Sequence, residues 1–289
     1  MYYVNSGLPN HKRARISYYK NDNKPAINIV LLFLSLLTPL QSWAESTSAV
    51  TEYHYKVIDT LSHSDALYTQ GIEIYRGHFY ESAGRYGESR LIQRSLDSSE
   101  AIQTFNLSDK IFAEGLTLLN NKIYQLSWKS QRGFVYDISS FKQIASFSYQ
   151  GQGWGLCNNG SELIMSNGSD QLTFLNPDNF SVTKKIAVSL DGAPVKKLNE
   201  LEWVNGLIYA NIWQSDWIVI IDPDSGVVVG KADLSGLLPK MLTTAKTDVL
   251  NGIAYDHDNK KLYVTGKYWP RIYQLELEEK PIENQGITE

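Results

Sequence analysis

A cadence recurs five times along this chain: a head residue, usually followed by Gly, then an apolar strand, a turn, and a second strand rich in Tyr, Ile or Val. It reads YTQGIEIYRGHFYESAGRYG from Tyr68, FAEGLTLLNNKIYQLSW from Phe112, GWGLCNNGSELIMSNG from Gly153, NELEWVNGLIYANIW from Asn199 and LNGIAYDHDNKKLYVTGKYW from Leu250. Self-similarity at a period of about forty to fifty residues marks a repeat architecture, because one such unit cannot bury its apolar face alone. Further strands follow each pair, RLIQRSL and AIQTFNL in the first repeat and GFVYDI and QIASFSY in the second. Short alternating strands closed by Gly, Asn and Asp turns predict an all-β protein. Four strands per unit at this period predict a five-bladed β-propeller rather than a sandwich or solenoid.

The fifth repeat runs out before its last strand. An unpaired edge is an aggregation template, and the alternating segment EYHYKVIDTLSH at residues 52–63 is suited to fill it. The N-terminal strand is therefore predicted to close the last blade. One helix is predicted, over residues 234–243, where DLSGLLPKMLTT separates the fourth and fifth repeats. Ligand sites on such folds form where blade loops converge. That rule brings the heads together: Gln70, Glu114, Trp154, Asn199 with Glu200, and Asn251.

The N-terminus has a different character. Lys12, Arg13, Arg15, Lys20 and Lys24 precede the apolar run from Ala26 to Leu40, and Ser42-Trp43-Ala44 follows. A basic region, a short apolar core and a small-x-small site predict a secretory signal over residues 1–44, cleaved after Ala44, and a globular domain over 45–289. The run is short for a bilayer span, so a periplasmic or secreted protein without stable membrane association is expected; an uncleaved anchor is the alternative. Cleavage lowers Lys+Arg from 27 to about 22 and Asp+Glu from 31 to about 30, so the net charge moves from −4 to about −8. That balance argues against nucleic acid as a partner. With Cys157 the sole cysteine, no intramolecular disulfide can form, and its apolar strand context reads as a buried structural thiol.

Taken together, the five quoted segments resemble the plant-type glutaminyl cyclase, or glutamine cyclotransferase, family over roughly residues 57–277. The family is distinct from the animal-type cyclases, which resemble zinc aminopeptidases. The resemblance implies a five-bladed propeller, without a cofactor or metal, that converts the N-terminal glutamine of peptides to pyroglutamate and releases ammonia. Glu114 matches the family's catalytic glutamate, and Asn199 and Lys267 match positions able to stabilise an oxyanion. Trp154 and Trp213 match indoles of its pocket; Trp128, Gln70 and Asn251 complete the expected substrate-binding set.

The chemistry makes the same demands. An α-amine attacking its own side-chain amide must lose a proton while the departing nitrogen gains one, and a single carboxyl placed between the two nitrogens performs both transfers. A partly desolvated, aromatic-walled glutamate has its pKa raised toward working pH. Donors must meet the developing oxyanion; indoles offer apolar faces and N–H groups. Lys267, in VTGKYWP, is expected near Tyr68, Gln70 and Glu114. Glu81, Arg85 and Gly87 are read as shaping the first blade and stay outside the catalytic set.

Two competing readings remain open at the level of sequence. Calcium-dependent propeller hydrolases gather Glu, Asn and Asp from successive blade heads, and Glu114, Asn199 and Asn251 imitate such a set, although indoles and a lysine are poor company for a divalent ion. A non-catalytic binding module is the other, since fold does not establish function. His63, His78 and His257 are scattered and read as structural or exposed. A monomer is expected.

Overall fold

Gly, Asn and Asp turns cut the chain into short strands, and the computed structural model, which describes residues 50–281, contains twenty-two of them. The expected signal segment, residues 1–44, lies outside the described residues. Three four-stranded antiparallel sheets form in sequence order. The first comprises Thr69–Tyr75, His78–Ala83, Arg90–Ser95 and Ala101–Asn106; the second, Ala113–Leu119, Lys122–Ser127, Arg132–Asp137 and Gln143–Ser148; the third, Leu156–Asn158, Leu163–Met165, Gln171–Leu175 and Val182–Ala187. An eight-stranded sheet follows, and it consists of two runs of four. One run is Leu198–Val204, Leu207–Ile212, Trp217–Ile221 and Val228–Asp233, and the other is Leu250–Asp256, Lys261–Gly266, Arg271–Glu279 and the N-terminal Thr51–Ser62.

The N-terminal strand pairs antiparallel with Arg271–Glu279, from Tyr53↔Glu279 to Ser62↔Arg271, where the sequence placed it. Its first residues also pair in parallel with the preceding run, Thr51↔Gly230 to Tyr53↔Ala232. That second pairing fuses two runs into one sheet and was not foreseen. A two-residue ladder, Ser189–Leu190 with Ala193–Pro194, was also unforeseen.

The first strands of the four-strand runs pack one against the next, and Leu250–Asp256 packs back against Thr69–Tyr75. Ala113–Leu119 is buried along its whole length, whereas the outer strand Ala101–Asn106 is mostly exposed. The gradient is one of position and not of polarity, since the inner strands stay buried even where they carry Glu73, Glu200 and Glu202. The core lies between successive sheets: Tyr80, Leu91, Leu116 and Ile123 between the first two, and Ile72, Phe79, Ala254 and Tyr263 between the last run and the first sheet. Each fully buried aliphatic or aromatic side chain contributes about 1.5–3 kcal/mol. Cys157 is buried in the cluster between the third sheet and the next run. The fold is all-β and propeller-like.

The helix predicted over residues 234–243 does not form; that stretch holds a 3-10 turn at Lys240–Leu242. Gly236 sits at φ 82° and Pro239 is extended at φ −60°, ψ 140°. Proline also pushes the residue before it out of the α region, so no helical register survives across GLLPK. Leu234 and Leu237 are instead tucked into the core.

Where first strands meet, there is no room for side chains. A Cβ on Gly71 would lie 2.6 Å from the Leu116 nitrogen and one on Gly115 2.5 Å from the Leu156 nitrogen, while one on Gly155 would overlap the Asn199 carbonyl. Three glutamates span the same region. Glu73 accepts from the Thr117 hydroxyl at 2.6 Å and the Leu118 N–H at 3.1 Å. Glu200, where the other repeats carry glycine, accepts from the Ile253 N–H at 2.8 Å and the Ile72 N–H at 3.4 Å. Glu202 accepts from the Tyr255 N–H at 2.9 Å.

Two outcomes are expected. Because the colliding atoms are backbone, Gly155→Ala destabilises by about 1–3 kcal/mol or more, read as a lower urea midpoint; an unchanged midpoint contradicts the close approach. Burial pushes the Glu73 carboxyl from 4.5 up to about 8, against the pull of the Thr117 hydroxyl and Leu118 N–H. A raised folded-state pKa contributes stability that is complete below the unfolded value and lost as pH rises through the folded one. The melting temperature therefore falls between about pH 5 and pH 8, and Glu73→Gln flattens that fall; a melting temperature that rises over this range refutes the assignment.

Candidate active site

Four of the five repeat heads sit in β-bulges, while Trp154 precedes its strand, Leu156–Asn158. Pairing slips between Thr69 and Gly71, between Ala113 and Leu116, between Leu198 and Leu201, and between Leu250 and Ile253. A bulge leaves its residues out of the ladder and re-aims their side chains, here for Gln70, Glu114, Asn199 and Asn251. Hydrogen bonds then run from head to head. Ser82 Oγ donates to the Glu114 carbonyl, Gly115 N–H to the Trp154 carbonyl at 2.7 Å, and Ser166 Oγ to the Asn199 carbonyl at 2.6 Å. Asn199 Nδ2 donates to Asn251 Oδ1 at 2.6 Å, and Asn251 Nδ2 to the Thr69 carbonyl at 3.0 Å.

Above this circuit opens a cavity of about 320 Å³ lined by Tyr68, Gln70, Arg85, Phe112, Glu114, Trp128, Trp154, Asn199, Trp213 and Lys267. It thus gathers Glu114, Asn199, Lys267, Gln70 and the three expected tryptophans. Asn251 does not line it; fully buried, it spends its amide on Asn199 and Thr69. Tyr68, Arg85 and Phe112 also enter the lining, although the sequence reading gave none of them a catalytic or binding role and took Arg85 as shaping the first blade. The aromatic residues two positions before Gln70 and Glu114 were the available signal, since alternate residues of a strand share a face.

Glu114 and Lys267 are 4% and 3% exposed, so a buried carboxyl and a buried amine line one cavity. Burial pushes the Glu114 carboxyl well above its ordinary value, opposed by the Lys267 charge and the Gln70 amide. Burial likewise lowers the Lys267 ammonium, opposed by Glu114 and Asp248. The ion pairs among the described residues do not join the two, so they act on each other across the cavity. Lys267 Nζ lies 4.7 Å from the Tyr68 ring centroid.

The indoles form walls. Trp154 and Trp213 meet edge to face at 5.4 Å and 83°, and Trp128 leans on Phe112 at 5.5 Å. A single carbonyl, Gln152 Oε1, accepts the N–H groups of Trp128 at 2.7 Å and Trp154 at 3.0 Å. These two rings therefore offer their faces, not their donors, to a ligand. Gln152, in a loop outside the repeat heads, carried no sequence signal for this part. Glu81 is buried with the His63 ring at 3.1 Å and the Thr69 hydroxyl at 2.7 Å, away from the cavity lining. Among the described residues no group of three or more His, Cys, Asp and Glu could hold a metal ion.

The sequence profile of the glutamine cyclotransferase family matches residues 29–277. The chain belongs to this family. A curated relative, glutaminyl-peptide cyclotransferase of Arabidopsis thaliana, is 35% identical over 261 residues, which is 87% of this chain and 81% of that protein. The crystal structure of Myxococcus xanthus glutaminyl cyclase is similar with a TM-score of 0.75 and 36% identity, covering 80% of this chain and 99% of that one. Family membership leaves the electrostatics of the cavity to be tested directly. Lys267→Met removes the charge that holds Glu114 down, so the Glu114 carboxyl titrates higher still. Carbon-13 NMR of the carboxyl reads this, and a value that stays put or falls contradicts the coupling.

Proposed function

We propose that this chain is a glutaminyl-peptide cyclotransferase on a five-bladed propeller, with Glu114 as its general acid and base. The observation that carries the reading is one buried carboxyl and one buried ammonium facing a shared aromatic-walled cavity. The names of the Arabidopsis and Myxococcus relatives agree with it. The substrate is a peptide whose first residue is glutamine.

The reaction is internal to the substrate, so the first task is to fold the glutamine side chain back onto its own amine. Faces of Trp128, Trp154 and Trp213 confine the methylenes, and the gain is that of a near-attack geometry. The α-nitrogen then bonds to the side-chain carbonyl carbon. Glu114, as the carboxylate, accepts the proton that this nitrogen sheds and delivers it to the amide nitrogen as the carbon–nitrogen bond breaks. Pyroglutamate and ammonia leave, and Glu114 returns to its starting state.

The amide oxygen gains charge in between. Lys267 supplies a cation for it, and the second Nδ2 hydrogen of Asn199 supplies a neutral donor. Asn251 fixes that amide: with Asn199 Nδ2 held on Asn251 Oδ1, the donor direction is set before substrate arrives, which is what makes an oxyanion donor effective. A carboxyl lifted by burial suits a group that must both take and return a proton near neutral pH.

Turnover of a Gln-peptide is read as released ammonia with the matching mass loss in the peptide. Glu114→Gln, isosteric but unable to carry the proton, lowers kcat by about 10²–10⁴ while leaving the fold intact by circular dichroism. In the unaltered protein kcat/KM rises from acid pH through the raised Glu114 titration. Full activity in Glu114→Gln sinks the mechanism.

A further inference from the structure

Arg85 stands where two cavities meet. It lines the Glu114 cavity of about 320 Å³ and also a neighbouring groove of about 770 Å³, whose other charged residues are Glu88, Arg90, Asp109, Lys246 and Asp248. Of those charged residues, Arg85 alone is shared by both linings. A peptide whose first residue occupies the inner cavity and whose chain continues into the groove must pass it.

The loop that carries Arg85 is held in an uncommon backbone state. Its φ is 97°, a region that residues with a side chain rarely visit and that persists only when surroundings over-determine it. They do so here. Gly84 N–H donates to the Tyr68 carbonyl at 2.8 Å and Glu88 N–H to the Arg85 carbonyl at 3.1 Å. Ser89 Oγ donates to the same Arg85 carbonyl at 2.7 Å and accepts the Ala113 N–H at 2.9 Å. The loop is thereby pinned beside both Gln70 and Glu114, and the guanidinium lies 5.3 Å from the Tyr68 ring centroid.

Arg85 is exposed, and no ion pair among the described residues uses it. Among the acidic residues of the groove, Asp248 Oδ1 accepts the Val249 N–H at 2.7 Å, and its charge helps keep the Tyr68 hydroxyl protonated. Glu88 and Asp109 line the groove alone. A planar cation with five donors, in no ion pair among the described residues, is thus presented at the exit from the inner cavity.

We propose that Arg85 determines specificity by binding a carboxylate on the residue that follows the N-terminal glutamine, so that acidic second residues are preferred. The inference rests on the cyclotransferase reading. It adds no chemical step; it selects which peptide is held.

Three peptides, Gln-Glu-Ala, Gln-Lys-Ala and Gln-Ala-Ala, each amidated at the C-terminus, separate the possibilities by ammonia release. The unaltered protein favours the Glu over the Lys peptide about three- to five-fold in kcat/KM, the scale of an exposed ion pair, chiefly through KM. The preference shrinks at high salt. Arg85→Gly, which suits the backbone angle, brings the ratio near one; Arg85→Lys retains part of it; Arg85→Glu inverts it. A ratio that is the same in the unaltered protein, Arg85→Gly and Arg85→Glu overturns the proposal while the cyclotransferase reading stands. Failure of the unaltered protein to release ammonia from any of the three overturns that reading, and this proposal with it.

Discussion

Backbone meets backbone at the centre of this fold. The first strands approach so closely that Gly71, Gly115 and Gly155 have neighbouring main-chain atoms where a Cβ would stand, and that contact places everything functional. Four of the five first strands begin with a bulge beside that contact, and the third, Leu156–Asn158, pairs regularly. The bulge frees its residue from pairing, and of the residues so freed Gln70, Glu114 and Asn199 face a common cavity while Asn251 braces Asn199 from beneath. Glycine here is a condition of close approach, and the catalytic candidate beside it is a consequence.

The exception clarifies the rule. Glu200 stands where glycine would, and its carboxyl takes main-chain N–H groups from both Ile72 and Ile253. Glu73 and Glu202 take others in the same way. All three, like Glu114, have their carboxyls raised by burial. What separates them is company: hydrogen bonds from neighbouring strands commit three of them to holding strands together, whereas Glu114 faces open space and a lysine charge. Residue type and burial do not distinguish a structural glutamate from a reactive one; the identity of the opposing donors does.

That difference also explains what was legible in the sequence. Strand positions, the pairing of the N-terminal strand with Arg271–Glu279, and the grouping of Gln70, Glu114 and Asn199 in one cavity follow from periodicity and repetition, which are local and additive signals; Lys267 was expected there from the family resemblance. The helix read into residues 234–243 fails because one proline and one left-handed glycine outweigh a leucine-rich composition. The position of Asn251 beneath Asn199 rather than in the cavity, and the clasp of two indoles by Gln152, depend on which atoms point at each other across the sheets. Nothing in spacing encodes that. Arg85 was read with Glu81 and Gly87 as shaping the first blade, and turns read as shape until their backbone angle and neighbours are known.

The cavity therefore has two layers with different freedom to change. Its floor consists of residues tied head to head through main-chain carbonyls, so altering Asn251 or Ser166 disturbs the placement of Asn199 as well as its own. Its rim is the loop of Arg85 together with Tyr68, whose hydroxyl is kept protonated by burial and by the Asp248 charge, with a pKa pushed up to about 12. The rim loop is anchored through the Gly84 and Glu88 N–H groups, the Arg85 carbonyl and the Ser89 hydroxyl, whereas the Arg85 side chain meets the Tyr68 ring and enters no ion pair among the described residues. Chemistry fixed by main-chain contacts can stay constant while the group that meets the rest of the peptide is exchanged, because the two depend on different bonds.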